Sequence, residues 1–391
     1  MNYIVDPKED ISFEIDFVYS IEDIDEIQLL QLSKNRTYYV SKPWLLAIER
    51  LRNGNTGYII AHRCDGKLAG VLPIYWGKPS QRGYYEPYNR FLLRSGGDFG
   101  ISDWSPSLIV GSRAAYACEF LIDENLQMDE QNYLLYRLFS EAYCYLEKLN
   151  TVSISALYIN PAGVDQLEKI VGKDSFFVAG ANTVIDIKWE SFEEYMSSVN
   201  TKIRRERKVF NSKGYSVVKS DLLESKEILS ELFSSHERKY GHVASAESEL
   251  KELTVMTNTS NEYSLVLLLK TENDTDTVGG ALFYLWGDTI FARSVGIHKD
   301  YSAKSFEYFN LVYYEAIKFA IEKGYKHIDY GMATYRAKLI RGARIEPLMG
   351  FITSSNQMNP LNESTFYQWT KEREAAIESG DASQIERSQI P

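Results

Sequence analysis

The chain writes one strand twice. LAGVLPIYW at 68–76 and VGGALFYLW at 278–286 align at an offset of 210 residues, with Gly70 over Gly280, Leu72 over Leu282 and Trp76 over Trp286. A glycine inside an apolar strand packs nothing and marks a close approach or a bulge, so its recurrence at one register position constrains the fold strongly. The surroundings repeat too. In the first half, a helical spacing of Ile21, Ile24, Ile27 and Leu30/Leu32 precedes a second short helix at 43–52, with Pro43 in its first turn. YIIAHRC, the turn Asp65-Gly66 and LAGVLPIYW then read as a hairpin. A Gly-, Pro-, Tyr- and Arg-rich loop at 77–107 leads to an aromatic-rich helix at 131–149 and the alternating strand TVSISALYI at 151–159. The second half has a helix at 223–239, the strand YSLVLLLK, the polar turn TENDTDT and VGGALFYLW, which turns at Gly287-Asp288 into TIFARSVGI. A long helix at 306–323, stopped by Gly324, and the strand HIDYG at 327–331 follow. Helix, hairpin, strand, long helix, strand thus occurs twice. The fold class is α/β (α+β), two copies of one unit in tandem.

A chain of 391 residues exceeds one ordinary core. We expect an N-terminal domain at 1–190, a C-terminal domain at 191–370 opened by a basic helix, and a poorly ordered polar tail at 371–391. The formal charge of −11 argues against broad binding to nucleic acid or anionic membrane, though not against a local basic groove. The cysteines Cys64, Cys118 and Cys144 lack ligand-like spacing and read as reduced thiols, so no metal site is expected. MNYIVDPKED has no signal-peptide pattern, and the longest apolar runs, such as LVLLL at 265–269, are far short of the ~20 residues of a membrane span. A cytoplasmic protein is the expectation.

Four stretches carry candidate chemistry. HKDYSAKSFEYF sets Ser302, Lys304 and Ser305 before a helix N-terminus, where free N–H groups and the dipole attract anions. A plain Ser305 cap beside a solvated lysine explains the same residues. In NTKIRRERKVF at 200–210, Val199, Ile203 and Phe210 share one helical face while Arg204, Arg205 and Lys208 share the next. This stripe suits a phosphate-bearing substrate, or equally a solvated face paired with nearby acids. HIDYGMATYRAKLIRGARIEPL sets Asp329 on a strand and Tyr335, Arg336, Lys338, Arg341 and Arg344 in the loop beyond its end, where α/β sheets bind ligands. A basic surface loop is the alternative. Of the histidines, His62 and His327 read as structural, and His236, in FSSHERKYGH near Tyr240, is a candidate base or a helix-end histidine. Arg293 on TIFARSVGI completes the candidate substrate contacts. No nucleophile elbow, GxGxxG or P-loop is present.

These residues resemble the GCN5-related N-acetyltransferase (GNAT) fold, duplicated in tandem as in the Fem-type peptidyltransferases. More closely, the chain resembles the bacterial peptidoglycan biosynthesis/recognition family. SVNTKIRRERKVFNSKGYSV is similar to that family's interdomain Arg-rich helix, VGGALFYLWGDTIFARSVGI to its glycine-led hairpin, and FEYFNLVYYEAIKFAIEKGYKHIDYG with KLIRG to its long helix, strand and Lys-x-x-Arg-Gly loop. Arg336-Ala337 stand where relatives carry Glu-His before that lysine, while Lys338, Arg341 and Gly342 match.

The resemblance implies two tandem GNAT-like units, each a mixed, mostly antiparallel sheet flanked by helices. It also implies an N-acyltransferase that forms an amide by direct attack of an amine, without a covalent enzyme intermediate. The implied co-substrate is acyl-CoA or an acyl-carrier phosphopantetheine, with no tightly bound cofactor. Ser302, Lys304, Ser305, Arg204 and Arg205 would hold its phosphates. Tyr240, Arg293, Arg336 and Arg341 would contact substrate, and Tyr335, Lys338, Asp329 and His236 would serve the chemistry. The partners are then a small-molecule amine and an acyl-carrier protein. The alternative is aminoacyl-tRNA-dependent transfer, with the basic helix on tRNA. A second alternative is a non-catalytic module binding glycan or peptide through GYYEPYNRF at 83–91.

Overall fold

The structure is a computed structural model; it describes residues 12–77, 85–93, 95, 98–239, 241–271, 276–298, 300–301, 305–355 and 361–379. The chain forms two compact units, Met1–Asn182 with Glu346–Pro391, and Thr183–Ile345.

The first unit is built on strands β1 (Phe13–Val18), β2 (Thr56–Arg63), β3 (Leu68–Tyr75), β4 (Ser107–Val110), β5 (Leu121–Ile122) and β6 (Ser153–Ile159), and β7 (Phe177–Asp186) leads out of it. β1, β2, β3 and β4 pair antiparallel in turn, β4 and β6 pair parallel, and the short β5 sits beside β3. β2 and β3 are buried almost throughout because helices cover both faces. Ile59 and Ala61 face a core shared with Leu134, Leu138 and Phe139 of the helix Met128–Cys144. Tyr58 and Ile60 face a second core with Leu29 and Leu45, from the helices Glu26–Ser33 and Lys42–Arg52. The single helix expected across 21–32 is instead a 3-10 turn, Ile21–Asp23, and a helix restarted by Asp25, whose side chain caps Gln28 N–H.

The second unit contains β8 (Ser216–Ser220), β9 (Ser264–Lys270), β10 (Thr277–Trp286), β11 (Thr289–Ile297) and β12 (His327–Asp329), while β13 (Arg344–Ser354) leads back to the first. β8 to β11 pair antiparallel, β11 and β12 pair parallel, and β12 pairs antiparallel with the end of β7. One face carries the long helix, which begins Glu307–Phe309, passes through the π-helical stretch Asn310–Tyr314 and ends as Glu315–Lys323. The helices Leu222–Lys239 and Ala246–Ser260 complete this unit. Two glycines of this hairpin, Gly280 on the repeated strand and Gly296 on β11, have a packing reason. A Cβ on Gly280 would overlap Leu229 Cδ2, and one on Gly296 would lie 2.5 Å from the backbone of Leu232. The helix Leu222–Lys239 rests directly on the sheet there.

The units divide at 182/183, and the residues from Glu346 on belong to the first unit. β13 pairs with β6, and Phe351 enters the first core beside Phe139 and Phe176. The expected polar tail begins inside a helix, Tyr367–Ser379, whose Arg373 donates to Ala179 O at 3.0 Å. The tail beyond 379 lies outside the described residues. Each copy's last strand thus joins the sheet of the other.

Candidate functional site

In the second unit β11 and β12 pair over only three rows, from Thr289/His327 to Phe291/Asp329, and then part. The β11 residues 292–295 beyond that point are half-buried, unlike Ile290 and Phe291. The corresponding parting in the first unit is stitched: past the β4–β6 pairing, Cys118 takes a parallel bridge to Ile159, giving its N–H to Tyr158 O (2.9 Å) and accepting from Asn160 N–H (3.1 Å).

The chain leaving β12 is held in an unusual shape. Gly331, Ala333 and Thr334 all have positive φ, at 64°, 66° and 54°, and two such non-glycine residues in succession store strain that the surroundings must hold. Lys338, buried, supplies the hold. Its ammonium donates to the carbonyls of Tyr330 (2.9 Å), Gly331 (3.0 Å) and Met332 (2.8 Å). An ammonium has three N–H groups, and these bonds occupy them. Asp329 accepts from Gly331 N–H at 2.8 Å, and Thr183 donates to Gly331 O at 2.6 Å. Lys338 and Asp329, expected in the chemistry, here hold the backbone of the loop that leaves β12. Tyr335 opens the short helix Tyr335–Leu339 and is buried, its ring 6.0 Å from the Lys338 ammonium. Arg336, the next residue, is exposed.

Below this loop lies a charged core. Arg341, expected at the substrate, is fully buried and forms an ion pair with the buried Glu206, which also accepts from the Tyr314 hydroxyl. The guanidinium carbon lies 3.9 Å from the Phe309 ring centroid and 5.0 Å from that of Tyr313. Burial holds the Tyr314 phenol far above its ordinary pKa despite the nearby Arg341, so it stays a donor. Arg341 thus ties the KLIRG loop to the basic helix Thr201–Asn211. That helix buries Ile203, Glu206 and Phe210 and exposes Lys202, Arg204, Arg205 and Lys208. Arg207 turns inward to Glu315 (2.6 Å) and Asn310 (3.0 Å).

At the start of the long helix, Ser302 and Lys304 lie outside the described residues, as does Tyr240. Ser305 is buried, and its N–H donates to the Glu307 carboxylate at 3.0 Å. Glu307 is fully buried and also accepts from Tyr215 at 3.2 Å; burial and that carboxylate push the Tyr215 phenol up to about 12. Of the N–H groups at this helix start, that of Ser305 is taken by a carboxylate. Arg293 lies on the half-buried part of β11, 4.0 Å from Glu252. His236 is one turn beyond Leu232, on the helix face that meets β11, and burial pushes its imidazole below the ordinary pKa, keeping it neutral. His327 pairs with Asp186 at 2.9 Å, as a structural histidine does.

Glu206 and Glu307 are the residues that sequence reasoning missed. Glu206 sits in a run of cations, and only its place three residues from Ile203 and four from Phe210 marks it as inward-facing. The aromatic loop expected to stack on sugars is a packing element where described: Tyr85 bonds Ala115 O, and Phe91 packs on Tyr158, Phe177 and Trp369. Among the described residues no group of three or more His, Cys, Asp or Glu could hold a metal ion, and no helix is long and apolar enough to cross a membrane.

The geometry agrees with known folds. Among solved structures, FemX is matched with a TM-score of 0.58 at 12% identity over 86% of this chain and 97% of its own. A tandem GNAT protein from the clavulanic acid biosynthesis pathway gives 0.50 at 11% over 88% and 100%, and L-PGS from Bacillus licheniformis gives 0.51 at 11% over 90% and 97%. These likenesses are of fold. No curated protein matches the chain. The FemAB-like family, described as peptidoglycan biosynthesis/recognition, matches residues 20–381. With that span and this tandem GNAT architecture, the chain belongs to the FemAB-like family, whose enzymes transfer acyl or aminoacyl groups.

Proposed function

We propose that the second unit transfers an aminoacyl group from the ester of an aminoacyl-tRNA to an amine. The observation that carries the choice of donor is Glu307. A buried carboxylate at the N-terminus of the long helix competes with the pyrophosphate of coenzyme A for the same N–H groups and the same dipole. The exposed cations Lys202, Arg204, Arg205 and Lys208 suit a polynucleotide backbone instead. The acceptor suggested by the family description is an amine of a peptidoglycan precursor.

In this reaction the amine lone pair attacks the ester carbonyl, a C–N bond forms, and the C–O bond to the ribose breaks. The amine loses its proton to a base, and the base returns a proton to the departing ribose oxygen, which leaves as a hydroxyl. His236, neutral and on the helix face that meets β11, is the base we assign; Lys338 keeps the strained loop after β12 in shape. Direct attack needs positioned substrates rather than an enzyme nucleophile.

The test is product formation from labelled aminoacyl-tRNA, acyl-CoA and acyl-carrier pools, each with an amine mixture. Amide from the tRNA pool alone, lost on prior ribonuclease treatment, is the expected result. Amide from a thioester pool after ribonuclease treatment would return the donor to the thioester class.

A further inference from the structure

The first unit contains an arginine that folding leaves unsatisfied. Arg113 follows β4 and is 5% exposed, and its Nη2 has no hydrogen-bond partner. Among the described residues no carboxylate lies within ion-pair distance of it. Glu86, buried nearby, accepts from Ser105 at 3.1 Å instead, and its own carboxyl is pushed up by burial. Two other buried groups around Arg113 also lack partners: the hydroxyl of the adjacent Ser112 and the phenol of Tyr75 at the end of β3. A second cation, Arg52, lies near enough to act on the Arg113 guanidinium, and among the described residues it donates to the carbonyls of Trp76 and Asn55. The carboxylate near Tyr75, Glu49, is taken up by Ser20, Ile21 N–H and Tyr58.

Leaving one buried donor unmade is costly, and a buried unpaired cation costs more. Burial and Arg52 together lower the Arg113 guanidinium to about 10, and burial pushes the Tyr75 phenol above its ordinary range, so Tyr75 remains a donor. Unmade donors gathered around two like charges are the complement of an oxyanion.

We infer that Arg113, Arg52, Tyr75 and Ser112 form a binding site in the first unit for a compact oxyanion, a phosphate or a carboxylate group of a ligand. This site belongs to the unit that does not carry the proposed chemistry, and it stands independently of the donor assigned above.

Inorganic phosphate and acetate are titrated separately into the full chain at constant ionic strength, with the thermal midpoint and calorimetric heat as readouts. The wild type should bind at least one of them saturably. Response to phosphate alone identifies a phosphate-bearing ligand, and response to acetate alone identifies a carboxylate. Arg113→Gln should weaken binding tenfold or more and, without anion, be at least as stable as the wild type, since it removes an unpaired buried charge. Tyr75→Phe should weaken binding several-fold with its fold intact, and Arg63→Gln, on the exposed end of β2, should leave it unchanged. No saturable response to either anion overturns the site. So does an Arg113→Gln protein that is destabilised but binds like the wild type.

Discussion

Replacing Glu206 by glutamine leaves Arg341 charged, fully buried and without its carboxylate. Breaking one side of such a pair costs about 3–5 kcal/mol, so Glu206→Gln should lower the unfolding free energy measured by denaturant titration by that amount, while Arg205→Gln, on the exposed face, changes it by less than about 0.5 kcal/mol. Lys338→Met should have a second signature. It removes the donor for three carbonyls beside the two left-handed residues, so hydrogen exchange at 330–334 should rise before global stability falls. His236 carries the pH dependence. Because folding depresses its pKa, the folded protein resists protonation there. Stability is unaffected well above about pH 6.5 and declines as pH falls through that ordinary value. Acting as a neutral base, His236 should give a rate that rises with pH through a midpoint below about 6.5. His236→Gln should abolish that limb and lower kcat by roughly 10²–10⁴-fold, and an unchanged pH profile would exclude His236 as the base.

At the scale of elements, the two structural glycines predict unequal penalties. Gly296→Ala drives a methyl into the backbone of Leu232, which cannot turn aside, whereas Gly280→Ala meets the end of the Leu229 side chain, which can. Overpacking costs about 1–3 kcal/mol. Gly296→Ala belongs at the top of that range or above it, and Gly280→Ala near the bottom, as urea midpoints would register. The elements were largely legible in the sequence because periodicity and turn chemistry are local: Asp65-Gly66, Gly287-Asp288 and Gly324 stand where they were expected. The site was less legible. Lys338 read as a catalytic and Arg341 as a substrate-binding group of a ligand-binding loop, with a basic surface loop as the alternative; their burial against three carbonyls and Glu206 was not legible because only tertiary structure supplies those partners. Asp25 split a helix that apolar spacing alone ran together, a local cap overriding a longer pattern.

At the scale of the whole molecule, a strand pattern does not say which sheet the strand joins. β13 follows the second unit in sequence and completes the first in space. Phe351→Ala should therefore cost about 3–5 kcal/mol, and protection should be lost first in β2, β3 and β6 rather than in β9 to β11. Loss beginning in β9 to β11 would contradict this assignment of the strand.

The exchange of last strands also has a consequence in time. A nascent chain emerges N-terminus first, and β6, an apolar strand, is made long before β13 exists to cover its edge. The first unit must wait, open along that edge, while the whole of the second is synthesised. An exposed apolar edge is a template for pairing with other chains, so slow or interrupted translation anywhere in 183–345 should favour aggregation of the earlier half.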